Sequence, residues 1–151
     1  MNSASPLVVV EGEDSRILIP EGTYEFFFSH WETALYLGKY PKAYLSFFVG
    51  SGEYQGLILL RCYNVNRLTT PAGPNGGFSI SRCRDYYKEF VACLGLPDSS
   101  GSLLPDRYDR MVLGDVVTVR TNRKGHATPD ALWYSQIGSL RPLPKKTESN
   151  A

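Results

Sequence analysis

Gly22–Val65 reads GTYEFFFSHWETALYLGKYPKAYLSFFVGSGEYQGLILLRCYNV, and its patterning decides the fold class. Three aromatic-rich runs, Tyr24–His30, Ala43–Val49 and Leu57–Val65, are each of strand length and bounded by Gly, Pro, Ser or charged residues. Rings and β-branched side chains suit a pleated, half-buried surface, so three antiparallel strands are predicted. In the first, Tyr24, Phe26 and Phe28 oppose Thr23, Glu25, Phe27 and Ser29. The alternation breaks at His30–Trp31, and Thr33–Leu37 extends the strand past a bulge. In the second, Leu45, Phe47 and Val49 oppose Tyr44, Ser46 and Phe48. In the third, Leu57, Leu59, Arg61 and Tyr63 oppose Ile58, Leu60, Cys62 and Asn64. Its first half is apolar on both faces, the pattern of a central strand.

Beyond this stretch, residues 66–77 (NRLTTPAGPNGG) form a Gly/Pro-rich loop long enough to suggest function or mobility. It lacks the Gly-Lys-Ser/Thr ending of a phosphate-binding loop. Ser81 is placed to cap a helix over Arg82–Leu94, with Gly95 and Pro97 as its stop. Cys83, Tyr87, Phe90, Val91 and Leu94 make its expected apolar stripe. Val112–Val119 reads as a strand with Gly114 as its bulge, and Ala131–Leu140 as the last strand. Upstream, Leu7–Val10 is a short strand candidate, with Arg16–Ile19 as its partner or lead-in. Residues 1–5 and 142–151 are expected to be disordered, leaving 6–141 as one domain.

The net charge of +1 conceals an uneven distribution. Residues 1–32 hold six acids and one base, and the rest nine acids and fifteen bases, so −5 and +6 return the total. A basic body behind an acidic segment suits an anionic partner. Cys62, Cys83 and Cys93 show no CxxC spacing, which argues against a zinc site or disulfide framework and for a reducing compartment. No secretory signal or run of about 20 apolar residues is present, so a cytoplasmic protein without a membrane partner is expected.

Catalytic patterns are absent. With His30 and His126 alone, no HxxxH and no GxSxG, neither a metal, a cofactor nor a nucleophile is predicted, and the expectation is a non-enzyme. Binding of single-stranded nucleic acid needs cations along the backbone and rings on which bases stack. Lys39, Tyr40, Lys42 and Tyr44 at the first hairpin supply both, as do Arg61, Tyr63 and Arg67 at the exit of the third strand. Arg120, Arg123 and Lys124 make the most basic loop. The competing reading places Tyr44, Tyr63, Trp31 and Trp133 in or around the core.

The succession IPEGTYEF, GSGEYQGLILLRCYNV, a helix ending CLGL and VLGDVVTVRT…YSQI resembles a phage and mobile-element family over residues 18–140. Its members are described as single-stranded-DNA-binding or recombination-associated and carry an OB-like barrel; residues 66–77 are an insertion relative to them. The resemblance implies a mainly β fold, a five- to six-stranded antiparallel OB-like barrel or curved sheet with one packed α-helix. It also implies a single-stranded-DNA-binding accessory protein in replication or recombination. The alternative is a protein-interaction module, an anti-defence or assembly factor that binds a protein partner through the aromatic hairpins.

Overall fold

Aromatic alternation builds the sheet as expected, and one bulge sets how far. The computed structural model describes residues 17–96, 102–122 and 124–144. The expectations for residues 1–5, Leu7–Val10, Arg123 and 145–151 lie outside them. Strand β1 (Gly22–Tyr36) is followed by β2 (Tyr40–Val49) and β3 (Ile58–Asn64). A short pair, β4 (Arg67–Leu68) and β5 (Phe78–Ser79), precedes helix α1 (Asp85–Leu94), and β6 (Val112–Val119) and β7 (Tyr134–Arg141) close the chain. One-turn 3₁₀ helices at Pro105–Arg107 and Asp130–Leu132 precede β6 and β7.

The main sheet is antiparallel throughout, in the order β3-β2-β1-β6-β7, and β4 pairs with β5 alone. Long β1 serves both halves: Gly22–Phe26 pair with β6, and Phe26–Tyr36 with β2. A register shift between Phe28 and His30 reverses the parity. Phe26 is buried before the shift, and Trp31 and Thr33 after it. A strand that keeps pairing through a bulge bends, and here the bend curls the sheet.

Curling brings the two edge strands toward each other. In an all-antiparallel order of five, the outer strands run the same way, so β3 and β7 are parallel, with Cα atoms within 8 Å. No backbone ladder joins them among the described pairs. The seam is bridged by side chains instead, including Gln136 Nε2, which donates to Cys62 Sγ at 2.9 Å. With α1 lying between β3 and β6 in the chain, the result is a curved OB-like sheet open along one seam. Strand β3 is therefore an edge, not the central strand that its two apolar faces suggest. Ile58 and Leu60 remain 46% and 41% exposed.

Three further expectations are corrected. Helix α1 begins at Asp85 rather than Arg82, and Arg84 stands at its N-cap without a capping side chain. Asn66 holds the preceding residues back, because its Oδ1 accepts the Ser81 N–H and Arg84 Nε. The buried stripe is consequently Tyr86, Phe90 and Cys93. The bulge assigned to Gly114 falls at Gly138, skipped between the pairs Asp115–Ser139 and Val116–Ile137. Gly114 is glycine for another reason: a Cβ there would lie 2.7 Å from the Phe26 ring. Last, β7 begins at Tyr134, because residues 130–132 form a helical turn.

The Gly/Pro-rich loop is a brace. Past Phe26, β1 has left β6, and the loop lies along that edge. Thr33 N donates to Gly73 O, Asn75 N to Trp31 O, and Trp31 Nε1 to Gly76 O at 2.8 Å. Covering the edge in this way satisfies backbone groups that would otherwise template another strand.

Candidate nucleic-acid interface

Register decides which side chains meet on the outer face of β1, β2 and β3. The inner face carries Ala43, Leu45, Phe47, Leu59 and Tyr63, all buried. The outer face reads in cross-strand rows: Phe27, Phe48 and Ile58; His30, Ser46 and Leu60; Glu32, Tyr44 and Cys62; then Ala34, Lys42 and Asn64. Tyr36 and Tyr40 pair at the hairpin end. One end of the face is thus apolar, with Phe27 and Phe48 stacked at 5.6 Å, and the other is cationic and aromatic.

At the cationic end the Tyr36 and Tyr40 rings are 6.5 Å apart. Lys39 Nζ lies 5.1 Å from the Tyr40 centroid, and Lys42 Nζ 5.6 Å from that of Tyr36. Lys42 Nζ also donates to Asn64 Oδ1. Tyr40 is exposed, and Tyr36 and Tyr44 are half-buried. Four expected residues, Lys39, Tyr40, Lys42 and Tyr44, therefore share one face. Arg67 is exposed at the same end, because Val65 N donates to Pro41 O where β3 leaves the sheet. Sequence reasoning passes over Tyr36. Counting parity through the bulge places it opposite Tyr40, so the signal for it lies in the alternation itself.

Arg61 and Tyr63 do not belong to this face. Both point inward, 9% and 2% exposed. Glu89 of α1 takes Arg61 Nε at 3.0 Å and Nη2 at 2.6 Å, the Tyr63 hydroxyl at 2.5 Å and the Leu140 N–H at 3.2 Å. The guanidinium lies 4.2 Å from the Tyr63 ring centroid. Burial pushes the Tyr63 phenol well above its ordinary value, with nearby Tyr108 and Glu89 adding to it. Burial pulls Arg61 down, but the Glu89 hydrogen bond and surrounding negative charge outweigh it, so the guanidinium stays charged. One carboxylate thereby ties β3, β7 and α1 across the open seam.

The basic loop stands elsewhere. It follows β6, whose Val116 pairs with Gly22, whereas the hairpin lies past Tyr36 at the other end of β1. Arg120 lies 4.8 Å from the Trp133 ring centroid, its Nη1 3.9 Å from Glu21 Oε2. Asn122 Oδ1 caps the turn by accepting the Lys124 and His126 N–H groups. Arg120 and Lys124 are exposed, yet they do not meet Lys39 and Lys42. Trp31 is buried against the brace, and Trp133 is half-buried beneath Arg120.

Among the described residues, no group of three His, Cys, Asp or Glu could hold a metal ion, and no helix is long and apolar enough to cross a membrane. Burial raises the Cys93 thiol to about 11. Exposed Cys83 is lowered, chiefly by the Ser81 hydroxyl at 3.1 Å. Comparison with protein-family models, curated proteins and solved structures gives no match.

Proposed function

We propose that this protein binds single-stranded DNA, without catalysing a reaction on it, across the outer face of β1, β2 and β3. The observation that carries the reading is the hairpin end, where Tyr36, Tyr40 and Tyr44 share a face with Lys39 and Lys42. Rings on a strand offer platforms to any base, and lysines between them neutralise phosphates. Tyr40 and Tyr44 are four residues apart on β2, about 13 Å. In the OB-fold the face of strands 2 and 3 and the loops joining strands 1–2 and 4–5 take oligonucleotides. Tyr40, Lys42 and Tyr44 lie on the second strand, and Lys39 on the first of those loops. An accessory role for a phage, plasmid or integrative element, in replication or recombination, rests on the family resemblance alone.

The test is fluorescence anisotropy with a labelled oligo-dT of about 30 nucleotides, longer than typical OB site sizes, at two salt concentrations. Saturable binding that weakens with salt is expected. Each phosphate contact on a single strand contributes about 0.7 to the log–log salt slope, so Lys39→Ala with Lys42→Ala should flatten it by about 1.4. No binding at low salt with micromolar protein refutes the reading. A second reading, protein docking, is favoured by the opposite end, where Phe27 and Ile58 are 37% and 46% exposed beside Glu25. There a salt-insensitive partner would be lost on Ile58→Lys while oligo-dT binding stayed unchanged.

A further inference from the structure

The β1–β2 turn carries an unusual residue at its tip. Leu37 has φ +56° and Gly38 φ +74°, and Lys39 N donates to Tyr36 O at 3.1 Å. Both central residues of the Tyr36–Lys39 turn therefore have positive φ, as a type I′ turn requires, within a three-residue loop between the paired Tyr36 and Tyr40. Such turns select Asn-Gly, because Asn tolerates the left-handed backbone and a bulky aliphatic residue does not. Leu37 occupies the strained position and leaves 69% of its surface in solvent. Among the described residues Leu37 belongs neither to the apolar core nor to the side chains packed against it, and strain kept at an exposed tip points to something met outside the chain.

Its neighbours indicate what that is. Directly behind the tip stand the Tyr36–Tyr40 ring pair and the Lys39 and Lys42 ammonium groups. These are the groups that take bases and phosphates in the single-strand reading, and the leucine projects beyond them. Apolar side chains so presented act on DNA as wedges, parting stacked base steps. A wedge has work to do where a duplex begins. An anionic membrane would also attract the lysines, and Leu35 and Tyr40, each 48% exposed, suit its interface too, but a single hairpin tip buries too little apolar surface for stable anchoring.

We infer that Leu37 is a wedge set against the terminal base pair of a junction between single- and double-stranded DNA, with the single strand led onto Tyr36, Tyr40 and Lys42. This rests on the single-strand reading and narrows its substrate to junctions. The experiment compares oligo-dT with a forked duplex of equal single-stranded length carrying 2-aminopurine in its terminal pair. Wild type should prefer the fork and raise the 2-aminopurine fluorescence. Leu37→Asn, which suits the turn and should melt no lower than wild type, should bind oligo-dT as wild type does yet lose both fork effects.

Oligo-dT binding without fork preference, or fork effects that survive in Leu37→Asn, would overturn the wedge and leave the single-strand reading standing. Absence of binding to either DNA would sink both. Binding to phosphatidylserine vesicles that Leu37→Asn abolishes, with no fork preference, would overturn the wedge in favour of a lipid surface.

Discussion

Replacing Glu89 with glutamine tests whether one carboxylate holds the seam between β3 and β7. The substitution keeps shape and one acceptor oxygen but turns the other into a donor facing the Arg61 guanidinium. Arg61 and Glu89 side chains are 10% and 13% exposed, so the stranded cation gains little help from water. Breaking a buried pair by removing one partner costs about 3–5 kcal/mol. Because glutamine can still accept from Tyr63 or Leu140, the lower end, about 3 kcal/mol, is expected here. For a domain of this length that corresponds to a fall of roughly 10 °C in Tm, out of a total stability on the order of 5–15 kcal/mol.

Thermal and urea unfolding measure the loss, and hydrogen exchange at the Leu140 amide should rise more than exchange within the β1–β2 ladder. Pairing Glu89→Gln with Arg61→Met removes the stranded charge. The double variant should then be less destabilised than the summed singles by about 2 kcal/mol, the coupling expected of residues in one network. A Glu89→Gln protein within about 1 kcal/mol of wild type, the ordinary worth of a single hydrogen bond, together with an additive double variant, would refute the reasoning. The seam would then be held by packing alone.

Three further outcomes follow from named contacts. Gly114→Ala drives a Cβ to 2.7 Å from the Phe26 ring between two paired strands, and should cost about 1–3 kcal/mol in urea unfolding. Trp31→Phe removes the Nε1 bond to Gly76 O and should release the 66–77 brace, read as faster limited proteolysis within that loop while the far-ultraviolet spectrum is unchanged. Asp115 accepts from Thr23 at 2.7 Å, from Ser139 at 3.0 Å and from Arg141, joining β1, β6 and β7. Partial burial raises its pKa, but those three donors outweigh it and hold the carboxyl below the usual 3.8. A carboxyl depressed on folding contributes stability above its unfolded value and loses it as pH falls through the folded one. Wild type should therefore lose stability below about pH 4 more steeply than Asp115→Asn, as measured by Tm against pH.

Period-two alternation in Gly22–Val65 is enough to read the strands, their two faces and the interruption near His30, because a strand's side-chain geometry is local. The composition of the hairpin, with lysines and tyrosines alternating about a turn, likewise marks Lys39, Tyr40, Lys42 and Tyr44 by residue type and spacing alone. Alternation does not say which face is covered. On β3 both faces carry apolar residues, and the choice is made by Glu89, whose carboxylate meets Arg61 and Tyr63 from a helix 28 and 26 residues downstream. The same holds for the seam, where Gln136 meets Cys62 across 74 residues. It holds too for the Gly/Pro-rich loop, whose carbonyls match an edge of β1 bared only once that strand bends. Local sequence determined the strands and the hairpin's chemistry. Burial, the clasp and the brace are contacts between distant segments, and the tertiary fold alone decided them.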